Sequence, residues 1–287
     1  MRVALPRPEA HLEQDHEWCV ARLDGEWREI RFHDYASVYE VPGLYEYIFS
    51  GLLKCESPKV VRHLLEGEIQ SSHRDSQPLR VLDLGAGNGL MADELSEMEA
   101  ELIVGVDIIP EAARAADRDR PGLYKKYFVL DMTGLSEGER SELRGYRFNC
   151  LTCVAALGFG DIPALAFAEA YNLIAPGGWV AFNIKEQFLG SGDRSGFARL
   201  IEHMASEGVL WIRRRHRYPI GSPLAVIRST TWLWPARRCE TSSFRWRAWE
   251  ASLASPSIPV LASELDSRSC APTHIDPSIW YHVEFST

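Results

Sequence analysis

The sequence predicts an α/β protein with a doubly wound, mostly parallel sheet, preceded by a hairpin with short helices and followed by an irregular tail. Two observations carry that prediction. Val81-Leu82-Asp83-Leu84-Gly85-Ala86-Gly87-Asn88-Gly89 is an apolar run that ends in an acid and breaks into three glycines at alternate positions. A helical-period stretch, Leu90 to Leu95, follows, so the segment reads as strand, tight turn and helix start. Downstream, short apolar runs alternate with helical segments to about residue 216, the pattern of successive βαβ units.

In chain order, residues 7–17 read as a short polar helix. Cys19–Leu23 and Glu26–Phe32 alternate around Asp24-Gly25, whose two positive-φ residues suit a type I′ hairpin turn. His33–Glu40 reads as a helix closed by Val41-Pro42-Gly43, with Tyr35 and Tyr39 on one face. Ser57 is placed to cap a helix whose buried face is residues 60, 61, 64 and 65, with Pro58 at the first helical position. A polar linker, Gln70–Ser76, leads to the first sheet strand near Leu79. Strands are then expected over 101–107, 125–130, 147–154, 179–184 and 208–216, and helices over 110–118, 161–174 and 195–207. This divides the chain into an N-terminal segment (1–77), a central domain (78–219) and a tail (220–287).

Leu102–Val106 ends in Asp107, twenty-two positions after Gly85. A carboxylate at the second strand end is placed to accept from the two hydroxyls of a ribose, so the pair points to a nucleoside-containing ligand. A dinucleotide fingerprint would carry glycine or alanine at position 90, where Leu90 stands. Asp83, two residues before the first glycine, would repel a pyrophosphate and suits a cationic ligand.

Here the sequence resembles the class I S-adenosylmethionine-dependent methyltransferases, and loosely the Williams–Beuren-region methyltransferase-like group. Their acid followed by Gly-x-Gly-x-Gly is matched by Asp83, Gly85, Gly87 and Gly89, and their ribose acid by Asp107. The resemblance implies a Rossmann-like fold, S-adenosylmethionine as cofactor, and contacts from Ala86, Ile108 and Val154. It also implies that Asp131 takes the adenine amine and Met132 covers the ring. It gives the tyrosine-rich segment before the first strand, with Tyr35, Tyr39 and Tyr45, a lid role over the cofactor; packing onto the core is the equal alternative. Small residues at Ala155-Ala156 would let the acceptor approach.

Several classes are disfavoured. A net charge of −9 opposes nucleic-acid binding, and the one basic run, Arg213–His216 with Arg199 and Arg217, reads as a solvated element end. No apolar run is long enough to span a membrane, and the N-terminus does not read as a secretory signal, so a cytoplasmic protein is expected. Cys150 and Cys153 sit three apart on a strand, where they face opposite ways; no metal is expected.

Methyl transfer from an activated donor asks mainly for alignment and water exclusion, with a base only where the nucleophile carries a proton. The acceptor half is therefore less legible. Val154-Ala155-Ala156-Leu157 matches no marker for methylating bases or glutamine, which leaves a small-molecule acceptor at O, N or C. Candidates for touching it are Tyr39, Glu40, Asn183 and Glu186. The rival readings are a silent nucleoside-binding module and a nicotinamide-dependent oxidoreductase.

Residues 220–287 hold twelve serines, five of nine tryptophans, one glycine and no lysine, and no strand or helix period persists. A sheet of this class should close with an antiparallel strand, for which residues 221–237 offer no pair. Read one base earlier, a permitted back-translation yields two strands and a turn. The expectation is an out-of-frame ending that leaves the sheet edge exposed; the alternative is a genuine extension over the active site.

Overall fold

The protein is described from a computed structural model, which covers residues 2–4, 17–72, 77–157, 161–189, 193–220 and 229–238. The expected helix over 7–17 falls almost wholly outside these residues. The hairpin forms from β2 (Trp18–Leu23) and β3 (Glu26–Arg31), with Asp24 and Gly25 at φ 52° and 88°. An unanticipated strand, β1 (Arg2–Ala4), pairs antiparallel with β2 to make a three-stranded sheet. Its apolar face packs Cys19, Ala21, Ile30 and Phe32 against Val38, Leu44 and Ile48 of the following segment.

That segment begins with α1 (Tyr35–Glu40), capped by Asp34, whose carboxylate accepts from the amide and hydroxyl of Ser37. A π-helical turn, Glu46–Leu52, follows, then α2 (Ser57–Ser71). Ser57 lies within the helix instead of capping it. Its hydroxyl is buried and accepts from Tyr218 at 2.8 Å, a tertiary bond in place of the local one expected. α2 also takes in Gln70 and Ser71, shortening the linker.

The main sheet contains β4 (Arg80–Leu84), β5 (Leu102–Asp107), β6 (Lys126–Val129), β7 (Cys150–Leu157) and β8 (Trp179–Lys185), all parallel, in spatial order β8-β7-β4-β5-β6. The helices between them are α3 (Leu90–Glu97), α4 (Pro110–Asp119), α5 (Glu137–Gly145) and α6 (Ala164–Asn172), and α7 (Phe197–Ser206) follows β8. Alternating residues feed two cores, as the two faces of a covered sheet require. Cys150 packs on the side of α2 and α3, and Cys153 on the side of α6 and α7. Both thiols are free, and among the described residues no cluster could hold a metal ion. Among them, too, no helix is long and apolar enough to cross a membrane.

The end of the sheet corrects the sequence reading. The strand expected over 208–216 is split into β9 (Leu210–Ile212) and β10 (His216–Ile220). Residues 229–238, given no strand partner, form β11, antiparallel to β8 on one side and to β10 and β9 on the other. The reason is local chemistry: Thr230, Thr231, Trp232 and Trp234 are β-branched or aromatic, types that favour a pleated strand. Pro235, which cannot donate, falls in the gap between the β10 and β9 pairings. Arg238 closes the strand, its buried guanidinium donating to the carbonyls of Tyr171, Asn172 and Ile174 at the C-terminal end of α6.

Candidate functional site

A cavity of about 170 Å³ opens where β4, β5 and β7 end, at the switch point where open α/β sheets place their ligands. Its floor is the β4–α3 turn. Gly85, Gly87 and Gly89 all take positive φ there (70°, 53° and 90°). At Gly87 a Cβ would lie 2.5 Å from Tyr39 Oη, so only glycine admits the tyrosine hydroxyl this close to the turn. Gly89 lies outside the lining: it begins α3, where a Cβ would press on Arg120 and Tyr124.

Two aspartates organise the cavity. Asp83 is fully buried at the end of β4, accepting from Thr152 Oγ1 at 2.7 Å and Tyr124 Oη at 2.9 Å. Burial pushes its carboxyl up to about 6 despite those two bonds. Asp107 ends β5 and accepts from the amides of Gly87 (2.9 Å) and Ile109 (3.0 Å); burial raises its carboxyl too. The Gly87 bond ties the β4–α3 turn to the β5 end, and Tyr127 of β6 adds a second tie by donating to the Gly87 carbonyl at 2.7 Å.

Ala86, Ile108, Met132 and Val154 line the same cavity, as does Asp131. Asp131 also caps a 3-10 turn, accepting from the Thr133 amide at 2.8 Å and hydroxyl at 2.7 Å, which lowers its pKa. The wall opposite is N-terminal. Tyr35, Tyr39, Tyr45 and Phe49 form a continuous stack with centroids 4.4 to 6.3 Å apart, and the three tyrosines line the cavity. The segment is fastened from below. Arg120 donates to Asp93 (2.5 Å), Glu46 (2.9 Å) and the Asn88 carbonyl (3.1 Å), and Asn88 donates to Glu46 at 2.6 Å.

The catalytic candidates divide. Tyr39 lines the cavity, whereas Glu40 is exposed and is not part of its lining. Glu186 is paired with Arg217 at 2.6 Å, away from the site. Asn183 lines a second, smaller cavity, where its side chain is committed to the Ala155 amide. Two members of the basic run, Arg213 and Arg214, share one carboxylate, Glu68, at 3.4 and 3.0 Å. The sequence reading missed Asp161, Tyr124, Tyr127, Arg120 and Glu46. Only Asp161 left a trace, as the acid in the turn that follows β7.

Four aspartates, Asp83, Asp107, Asp131 and Asp161, line this cavity, and no lysine or arginine does among the described residues. The surface fits a cationic nucleoside ligand and opposes a pyrophosphate. Residues 59–222 match the methyltransferase domain family, and the chain belongs to that family of S-adenosylmethionine-dependent enzymes. S-adenosylmethionine is its cofactor. The ubiquinone biosynthesis O-methyltransferase of Albidiferax ferrireducens is 29% identical over 139 residues, 42% of this chain and 51% of that protein. Its Burkholderia vietnamiensis counterpart is 27% identical over 114 residues, 39% and 47% of the two chains. The chain thus spans about half the length of the curated relatives it matches. Among solved structures, the N-methyltransferase NodS of Bradyrhizobium japonicum with S-adenosylhomocysteine is similar over 72% of this chain and 97% of that one, with 14% identity and a TM-score of 0.47.

Proposed function

We propose that the protein methylates an oxygen of a small-molecule acceptor, using the cavity at the β4, β5 and β7 ends for S-adenosylmethionine. The observation that carries this is the set of four aspartates, Asp83, Asp107, Asp131 and Asp161, that line the cavity beside the left-handed glycines Gly85 and Gly87. When bound, the cofactor supplies a methyl carbon activated by its sulfonium. The chain's part is to bind and orient: Asp107 to hold the ribose, Asp131 and Met132 the adenine, and Asp83 to favour the cationic end. The Tyr35–Tyr39–Tyr45 stack serves as a lid that excludes water. Oxygen as the methylated atom is supported by the names of the curated relatives. A cytoplasmic setting is supported by the free thiols of Cys19, Cys55, Cys150 and Cys153.

Isothermal titration with S-adenosylhomocysteine and with NAD tests the reading. Binding of the first and not the second is expected. Preference for NAD would restore the oxidoreductase reading, and binding without turnover of labelled cofactor on a metabolite pool would favour the silent module.

A further inference from the structure

We propose that the second cavity receives the acceptor, a compact planar molecule bearing a hydroxyl, and that Asp161, on the wall the two cavities share, takes the proton from that hydroxyl. The proposal rests on the methyl-transfer reading above. The second cavity, about 80 Å³, lies between the N-terminal segment and the ends of β7 and β8. Tyr35, Tyr45, Cys55, Ala155, Ala156 and Asp161 line both cavities, so a group held in one lies against a group held in the other. Two alanines in that partition leave room for reacting atoms to approach. Phe32, Tyr45 and Phe49 supply aromatic walls suited to a flat ring, and the volume is too small for a long flexible chain.

Asp161 carries the one carboxylate of the shared wall. Its place there is fixed by the next residue, Ile162, which packs on the cofactor turn. A Cβ at Gly85 would lie 2.7 Å from Ile162 Cδ1 and 2.8 Å from Ala156 Cβ. The carboxylate stands within electrostatic reach of both cavities. Partial enclosure pushes it up to about 6, Lys185 at the end of β8 pulls it down, and Asp107 at the end of β5 adds to the rise. The Tyr35 hydroxyl, raised chiefly by burial, is raised further by Asp161. Among the described residues no hydrogen bond or ion pair engages the Asp161 carboxylate, which leaves its oxygens for a bound hydroxyl. The residue is also exposed on one side, so a proton taken there has an exit to solvent. The other titratable groups facing the two cavities are Glu17 ahead of β2, His33 before α1, Tyr35, Tyr39, Tyr45 and Cys55 of the N-terminal segment, Lys185, and Asp83, Asp107 and Asp131 on the cofactor side.

The step balances without a further reactant. The acceptor's proton passes to a carboxylate oxygen of Asp161 as the acceptor oxygen bonds to the methyl carbon. The carbon–sulfur bond breaks, its electron pair stays on sulfur, and Asp161 then releases the proton to solvent. A base of this kind contributes roughly 10²–10⁴ in rate, and most where the hydroxyl is least acidic.

The test uses the full chain with two probes, phenol and the more acidic 4-nitrophenol. Both should bind the complex saturated with S-adenosylhomocysteine. Leu53→Phe, which fills the second cavity alone, should weaken that binding at least about tenfold and hold the S-adenosylhomocysteine Kd within about twofold. At saturating S-adenosylmethionine, Asp161→Asn should lower kcat on phenol about 100-fold with KM little changed, but less than about tenfold on 4-nitrophenol, which ionises without help. Asp161→Glu should recover part of the loss. In the unaltered protein kcat on phenol should climb from pH 5 to 7 and level off, and Asp161→Asn should lack the climb. A cooperative melt and S-adenosylhomocysteine binding show that each variant folds. Probes that neither bind nor accept methyl, binding untouched by Leu53→Phe, an equal loss on both phenols in Asp161→Asn, or a contrast produced by His33→Gln instead would overturn the proposal. If the unaltered protein does not bind S-adenosylhomocysteine at all, the methyl-transfer reading fails first, and visibly so.

Discussion

Asn183 Oδ1 accepts the amide of Ala155 at 2.6 Å, and through that bond β8 fixes the bent end of β7. Ala155 is non-glycine at φ 56°, a costly conformation that persists only where surroundings enforce it. Parallel pairing between β7 and β8 shifts register between Cys153 and Leu157, around this residue. Asn183 is in turn held by Tyr218 at 3.0 Å and Ser57 at 3.4 Å, so α2, β8 and β10 all bear on one backbone amide. Asn183 itself is buried, and Asn183→Ala takes a partner from the buried hydroxyls of Tyr218 and Ser57, a loss that costs about 1–3 kcal/mol for a buried polar group. Asn183→Ala should therefore lower Tm by several degrees, at roughly 2–4 °C per kcal/mol. Ala155→Gly in that background should recover part of the loss by removing the left-handed strain. Thermal melts of the two variants and their combination check this; a fully additive double variant would show that the two residues are uncoupled.

Asp107 carries the second prediction. Asp107→Ala should cost at least ~2 kcal/mol of S-adenosylmethionine affinity, because ribose hydroxyls lose a charged acceptor and the Gly87 and Ile109 amides lose theirs. Titration calorimetry reads it directly, and an unchanged Kd would remove Asp107 from the ribose site.

Asp83 makes cofactor binding depend on pH. Its folded pKa of about 6 lies above the ordinary aspartate value, so the unliganded fold favours the protonated form and loses stability as pH rises from about 4 to 6. A sulfonium favours the ionised form. S-adenosylmethionine affinity should therefore rise from pH 5 to 7 and level off above. S-adenosylhomocysteine, without the sulfonium, should show a shallower rise. Asp83→Asn should flatten the difference between the two ligands; identical pH profiles in the unaltered protein would count against the assignment.

Much of this was legible in the sequence because the cofactor half obeys backbone rules. Left-handed turn positions demand glycine, and strand-end acids follow βαβ spacing, so Gly85, Gly87, Asp83 and Asp107 could be located by counting. The acceptor half obeys no such period. Tyr124, Tyr127 and Arg120 act on the β4–α3 turn from 38, 40 and 32 positions away, and only folding brings them there. Sequence position alone makes Glu40 and Glu186 candidates, but Glu40 is exposed and Glu186 is paired with Arg217. β11 was overlooked because its composition resembled noise, although its β-branched and aromatic run was a strand signal in its own right.

The tyrosine stack gives a test of lid behaviour. Glu46 of the π-helical turn is joined to Arg120 at 2.9 Å and to Asn88 at 2.6 Å, so this segment is latched to the β4–α3 turn by an ion pair and an amide. Amide exchange over residues 33–49 should slow when S-adenosylhomocysteine binds. Arg120→Ala should speed it in the unliganded protein, since Glu46 then keeps only its amide bond. Equal protection with and without ligand would reduce the segment to core packing.

The tail supplies the last prediction. Arg238 donates to three carbonyls of the α6 end, and its backbone exchanges hydrogen bonds with Gly177 and Gly178 at 3.0 and 2.9 Å. β11 is therefore bolted into the sheet at its far end, and an out-of-frame account must explain why such a strand fits between β8 and β10. Truncation after Arg238 should leave the S-adenosylhomocysteine Kd within about twofold and the melting temperature nearly unchanged. Truncation after Ile220 removes β11, strips β8 of its antiparallel neighbour and frees an apolar edge; aggregation or loss of a cooperative melt should follow. A large loss of affinity on the shorter deletion would instead make the tail an extension over the site. The coding DNA bears on the same point: stop codons in the alternative frame across residues 218–238 would remove the out-of-frame account.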